Sequence, residues 1–146
     1  MTVAAAGVIR LAQTDEDIAR CHPVMRQLRP HLEASQLVAA VRRQAAQGYR
    51  LALREQHGRV VAVAGWRIFD NLMSGRVLYV DDLVSDADAR SQGHGAAMFD
   101  WLVQRAREAG CRTLELDSGV QRFAAHRFYL RQRMVISSHH FRLSLE

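Results

Sequence analysis

From residue 49 the chain alternates apolar and polar positions in YRLALRE, pauses at His57-Gly58 and resumes in RVVAVAGWRIF. Alternation on both sides of a tight-turn dipeptide predicts a β-hairpin over 49–69. After a loop at DNLMSG, RVLYVDDLV (76–84) reads as a third long strand. Elsewhere the period becomes helical. Leu37, Val38, Val41 and Ala45 predict a helix from about Glu33 to Gln47, stopped by Gly48. Met98, Trp101, Leu102 and Ala106 fall on one stripe of another, from about Gly93 to Ala109, stopped by Gly110. Thr14 before Asp15-Glu16-Asp17 is an N-cap with an acidic first turn. The helix it opens extends to about Leu28 and is delayed or broken by Pro23. VIRL (8–11) and CRTLELDS (111–118) read as strands, and VQRFAAHRFYLRQ (120–132) as a short helix. VISSHHFRLSL (135–145) reads as one bent strand or two short ones.

The resulting order, β-α-α-β-β-β-α-β-α-β, has no internal repeat. It predicts an α/β fold with a central mixed sheet flanked by helices. A length of 146 residues suits one domain, 1–146. With 49% hydrophobic and 24% charged residues, the composition is that of a globular chain and not of a disordered one. The net charge of +5 suggests an anionic partner, whether nucleic acid, membrane surface or phosphorylated cofactor. No block of five or six like charges appears, which argues against nucleic acid. No apolar run reaches the ~18 residues of a membrane span, so no membrane partner is expected. The two cysteines, Cys21 and Cys111, lie far apart and outside any C-x-x-C pair. Together with an N-terminus, MTVAAAGVIRL, that lacks the pattern of a signal peptide, they predict a reduced, cytoplasmic setting.

The most informative stretch joins the third strand to the long helix: Arg90-Ser91-Gln92-Gly93-His94-Gly95-Ala96. The first N–H groups of a helix have no internal acceptor, and the helix dipole adds about half a positive charge there. Glycine lets a ligand approach the backbone, and Arg90 adds a full charge. These features suit a pyrophosphate. The stretch is neither G-x-G-x-x-G, since Met98 stands at the third glycine position, nor a P-loop. On the glycines alone, an ordinary loop before a helix is an equal reading.

Placed between a strand and an amphipathic helix, this R/Q-x-x-G-x-G/A pattern resembles the acetyl-CoA site of the Gcn5-related N-acetyltransferase family. The segment RFAAHRFY (122–129), with Ala125 and Tyr129 in place, is similar to that family's Asn-x-x-Ala-x-x-x-Tyr. The order of elements is also similar along nearly the whole chain. There are departures: Ser91 follows the motif arginine in place of glycine, Arg122 replaces the asparagine, and Arg133 stands where a glycine follows the tyrosine. The last puts the turn into the final strands in question.

The resemblance implies a partly splayed sheet with acetyl-CoA as co-substrate. It implies that Arg90, Ser91, Gln92, Gly93, His94, Gly95 and Ala96 hold the pyrophosphate, and that Arg122 meets a phosphate. The strand end Leu83-Val84-Ser85 would pair with the pantetheine arm as an added strand, the Val84 N–H polarising the thioester carbonyl. Tyr129 would be the general acid. Asp81 and Asp82 are candidate bases, with Asp82 preferred, and strand alternation predicts that they face opposite sides. Asp117 and Ser118 are further candidates to line the cleft. His94 either adds charge to the loop or faces solvent.

His139-His140 and His126 form no metal-ligand pattern, and no metal is expected. The expected activity is direct acetyl transfer to a primary amine of a small molecule or peptide. A catalytically inactive acyl-CoA-binding module is the alternative. The acidic residues Asp81, Asp82, Asp86 and Asp88 favour a cationic acceptor. The segment AHRFYLR with a later HFR resembles the aminoalkylphosphonate acetyltransferases of the family and favours an anionic one. The sequence leaves both open. A homodimer is expected only from the general frequency of two-fold assemblies.

Overall fold

The structure, a computed structural model, describes residues 7–146; residues 1–6, and with them most of the stretch read for a targeting signal, lie outside the described residues. The chain divides into two compact units, one ending at Glu115 and one comprising Leu116–Glu146.

The first unit runs β1 (Val8–Leu11), α1 (Asp15–Arg20), α2 (His22–Leu28), α3 (Ala34–Ala45), β2 (Arg50–Gln56), β3 (Arg59–Asn71), β4 (Gly75–Ser85) and α4 (His94–Glu108). It closes with most of β5 (Thr113–Leu116). The five strands form one sheet in sequence order. The first four pair antiparallel, and α4 makes the connection from β4 to β5.

Local chemistry explains the boundaries. The Thr14 side chain accepts the Asp17 N–H at 3.1 Å and caps α1. The break expected at Pro23 within 15–28 falls just before it, at Cys21, which separates α1 from α2. Pro23 falls in the first turn of α2, where its missing N–H leaves nothing unpaired. At the hairpin tip, His57 and Gly58 have φ of 54° and 72°. Two left-handed residues are what a two-residue hairpin turn requires.

Helices cover both sheet faces. Ile18, Val24, Met25, Leu37 and Val41 from α1–α3 pack with Leu51, Leu53 and Val63 in one core. Opposite lies α4, which buries Met98, Phe99, Leu102 and Ala106. Trp101 of α4 meets Trp66 edge-to-face, with ring centroids 5.2 Å apart. Leu102 is fully buried, so Leu102→Ala should destabilise the unit by about 2–5 kcal/mol. Cys21 lies in the first core, where burial pushes its thiol up to about 12. It is a packing residue and not a nucleophile.

The second unit holds α5 (Phe123–Arg131). The turn after it forms despite Arg133. That residue takes φ 67°, its N–H reaches the Leu130 carbonyl at 3.0 Å, and the Met134 N–H reaches the Tyr129 carbonyl at 3.1 Å. This pair of bonds is a Schellman cap, with arginine in the place glycine usually fills. The strand expected over 135–145 is absent: 134–146 has no regular secondary structure. Its alternating apolar residues Phe141, Leu143 and Leu145 are 91, 83 and 91% exposed. Alternation yields a strand only where an edge is present to pair with it, and none among the described residues takes this one.

Candidate active site

The loop between β4 and α4 is anchored at its start by Asp86, which is 6% exposed. Its Oδ1 accepts the Gln27 side-chain amide at 3.1 Å and the Asp88 N–H at 3.1 Å. Its Oδ2 accepts the Arg59 guanidinium. The Gln27 bond, with help from Asp88 and Arg59, holds this carboxyl below the usual aspartate range. Beyond it, Ser91 and Gly93 both adopt left-handed backbone, with φ of 64° and 80°. A side chain on Gly93 would meet nothing within 4 Å, so glycine is needed there for its φ and not for space. Gly93 caps α4, and the first helical bond runs from the Ala97 N–H to the Gly93 carbonyl at 3.0 Å. The N–H groups of His94, Gly95 and Ala96 therefore have no acceptor within the helix. Arg90, Ser91 and Gln92 are exposed beside them. Free donors, a helix dipole and an arginine give this end of the molecule the chemistry of an anion site.

His94 is not the solvent-facing or charge-adding residue expected. It is 3% exposed, and its Nδ1 accepts the Arg54 Nε–H at 3.2 Å. Burial first, and the Arg54 charge second, lower its pKa. The ring is therefore neutral at neutral pH and pins the helix start to β2. Its Nε2 is buried with no partner among the described residues.

The ladder orients the end of β4. Asp86 donates its N–H to the Val61 carbonyl at 2.8 Å, and Val84 lies opposite Val63. Hydrogen-bonded pairs alternate along an antiparallel ladder, so the Val84 N–H also turns toward β3. The amides of Leu83 and Ser85 turn toward the other edge. There β4 and β5 meet over a shorter stretch than any other neighbouring strands. The outward donors are thus those of Leu83 and Ser85, and Val84 is corrected as the polarising amide.

Asp81 and Asp82 do not face opposite sides. Gly65 is opposite Asp82 and Trp66 is opposite Val80, which leaves Asp81 as a bulge. An extra residue in one strand re-aims the side chains around it. Both carboxylates line one cavity of about 390 Å³, together with Met25, Arg29, His31, Arg43, Tyr49 and Tyr79. Asp82 accepts Arg29 Nε on Oδ1 at 2.9 Å and the Tyr49 hydroxyl on Oδ2 at 2.8 Å. Asp81 accepts Arg67 at 2.6 and 3.1 Å. Tyr49 is 4% exposed, and burial, reinforced by Asp82, pushes its phenol well up. A Cβ on Gly65 would lie 2.6 Å from Tyr49 Cε2 and nearer still to its hydroxyl. Sequence reading passed over Tyr49, Arg29, Arg67 and Gly65. The usable signal was a glycine inside a strand, which marks close approach by another group.

The second unit has a cavity of its own, about 370 Å³, lined by Asp117, Ser118, His126, Tyr129, His139 and His140 among others. Burial pushes the Tyr129 phenol up, partly offset by the Arg122 charge and its hydrogen bond. The group stays protonated at neutral pH and able to donate. Arg122, expected on a phosphate, thus engages Tyr129 here. The shielded Ser118 hydroxyl has no partner among the described residues. His140 lies 3.3 Å from Asp117, and His126 bonds the Gly119 carbonyl at 2.7 Å. Among the described residues no group of three metal-ligating side chains forms. No helix there is long and apolar enough to cross a membrane.

Comparison with known proteins places these features in context. The model of the acetyltransferase (GNAT) family matches residues 11–133. An uncharacterized N-acetyltransferase of Bacillus subtilis is 33% identical over 132 residues, covering 87% of this chain and 91% of that protein. The aminoalkylphosphonate N-acetyltransferase of Salmonella typhimurium is 35% identical over 97 residues, 66% of this chain and 60% of that one. The crystal structure of a ribosomal-protein-alanine N-acetyltransferase from Brucella melitensis superposes with a TM-score of 0.82. That match covers 97% of this chain and 100% of the other at 15% identity, a likeness of fold.

Proposed function

The chain is a member of the GNAT acetyltransferase family, and on that premise we propose that it transfers the acetyl group of acetyl-CoA directly to a primary amine of a small-molecule acceptor. The observation that carries this reading is the left-handed Ser91–Gly93 turn, which leaves the N–H groups at the start of α4 without helical acceptors. Those donors and Arg90 take the pyrophosphate. The outward amides of Leu83 and Ser85 take the pantetheine amides as an added strand would. The gap beside β4 fits that role because β5 pairs with it so briefly.

In the transfer, the amine nitrogen attacks the thioester carbon, the C–N bond forms and the C–S bond breaks. Asp82 accepts the proton the amine gives up. Each of its oxygens already accepts one hydrogen bond, and a carboxylate oxygen has a second lone pair. Asp81, held by Arg67, sets the charge beside it. Tyr129 of the second unit donates its proton to the departing thiolate. Its raised pKa supports that role, because the donor must be protonated before the step.

Tyr129→Phe tests the assignment. kcat should fall about a hundredfold, while the calorimetric Kd for acetyl-CoA stays within a factor of about three. An unchanged kcat removes Tyr129 as the acid. Loss of acetyl-CoA binding in the unsubstituted protein removes the whole reading.

A further inference from the structure

The two acidic side chains that line the cavity beneath the β4 bulge, Asp81 and Asp82, are both already paired with arginines. Asp81 is matched by Arg67 and Asp82 by Arg29. The acidic residues just beyond are matched as well. Arg59 bonds Asp86 and lies 3.8 Å from Asp88. The acidic run that favoured a cationic acceptor on sequence is thus largely neutralised by the protein's own arginines. On the cavity wall, Arg43 of α3 remains, and among the described residues it has no carboxylate within ion-pair distance. Its neighbour Arg42 does, at 2.7 Å from Asp15. His31, between α2 and α3, also lines the cavity without an acidic partner among the described residues. A cavity of about 390 Å³ is the size that takes a small molecule.

We propose that the acceptor is a small primary amine that also carries an anionic group, a carboxylate or a phosphonate, seated on Arg43. This rests on the acetyl-transfer reading and on the cavity beside Asp81 and Asp82 being the acceptor's. A guanidinium can hold either anion through two parallel hydrogen bonds. The amine end then lies toward the paired carboxylates, where Asp82 takes its proton. A diamine would place a second ammonium beside Arg43 and be repelled.

The test compares amines of matched chain length at saturating acetyl-CoA: propylamine, 3-aminopropanoate, 3-aminopropylphosphonate and 1,3-diaminopropane. The expected kcat/KM for at least one anionic amine exceeds that for propylamine about tenfold or more, the size of one charge-assisted contact, and the diamine ranks last. The carboxylate and phosphonate arms identify which anion the seat prefers. In Arg43→Ala the anionic-to-neutral ratio falls toward one. In Arg42→Ala, which alters the paired neighbour, the ratio holds. A ratio near one in the unsubstituted protein, a diamine that leads, or a ratio untouched by Arg43→Ala overturns the proposal and leaves acetyl transfer standing. A second readout is independent of turnover: calorimetric titration of the CoA-bound protein with 3-aminopropylphosphonate and with 3-aminopropanoate. Binding of either that Arg43→Ala weakens about tenfold supports the anion seat even if no amine is acetylated, which would count against the transfer reading alone. Absence of binding by both overturns the seat.

Discussion

Gly65→Ala is the most revealing single substitution in the first unit. Gly65 faces Tyr49 so closely that a Cβ would stand 2.6 Å from Cε2 and nearer to the hydroxyl. Tyr49 is 4% exposed and its hydroxyl is tied to Asp82, so the ring gives way only by leaving that bond. Two penalties follow. Overpacking a filled site costs about 1–3 kcal/mol. Displacing the hydroxyl from its 2.8 Å bond to Asp82 costs about 1.5–3 kcal/mol, the range for a bond to a charged group. Against these stands about 0.4–1 kcal/mol from the stiffer unfolded chain. The expected net loss is about 2–5 kcal/mol, a large part of the roughly 5–15 kcal/mol typical of a whole protein. Urea unfolding should show it as a lower midpoint at constant slope. In a Tyr49→Ala background the clash is gone, and the same glycine substitution should cost almost nothing. Neighbours that touch are expected to couple in this way. A cost below about 0.5 kcal/mol, or the same cost in both backgrounds, would refute the contact and with it the account of how Asp82 is held.

Further expectations concern the anion loop and the cap of α5. Arg90→Ala should raise KM for acetyl-CoA about tenfold with kcat unchanged, the loss of one charged contact; equal kinetics would take Arg90 out of the site. His94, whose pKa is lowered in the fold, binds a proton less readily folded than unfolded. Stability should therefore fall as pH drops from the ordinary 6.5 through the folded value, and not rise. Denaturation profiles of His94→Gln should lack that slope, and a slope that persists unchanged would contradict the assignment. Arg133→Gly removes a side chain from a left-handed position, φ 67°, and should stabilise the protein by about 1 kcal/mol. A lower melting temperature would show that the arginine side chain holds the turn by some other contact.

Much of this architecture was legible in the sequence because it is written in local rules. Thr14 as a cap, His57-Gly58 as a hairpin turn and the Met98–Ala106 stripe each follow from one element's own residues. The anion loop was legible for the same reason, since free N–H groups at a helix start need no distant partner. What could not be read depends on the neighbouring strand. The bulge at Asp81 is a property of the β3–β4 pairing, and it reverses the alternation that put Asp81 and Asp82 on opposite faces. The direction of the Val84 amide depends on the same ladder. His94 looked like a loop histidine because Arg54, its partner, lies 40 positions away. The alternation in 135–145 was a true strand pattern, but a pattern does not supply an edge to pair with.

Asp82 accepts from Arg29 and from the Tyr49 hydroxyl in the first unit, whereas Tyr129 in the second is half-buried and its phenol is pushed up by desolvation. A phenol that desolvation keeps protonated is suited to give a proton. Neither cysteine competes as a covalent carrier: burial raises both thiols.

The central claim is acetyl transfer from acetyl-CoA to an amine, and the direct measurement is thiol release from acetyl-CoA by the purified protein across an amine panel, with the product amine identified by mass spectrometry. The account predicts thiol release that depends on the amine, matches the acetylated product in amount and falls about a hundredfold in Tyr129→Phe. Tight binding of acetyl-CoA with no amine acetylated, or thiol released at the same rate without any amine, would contradict it.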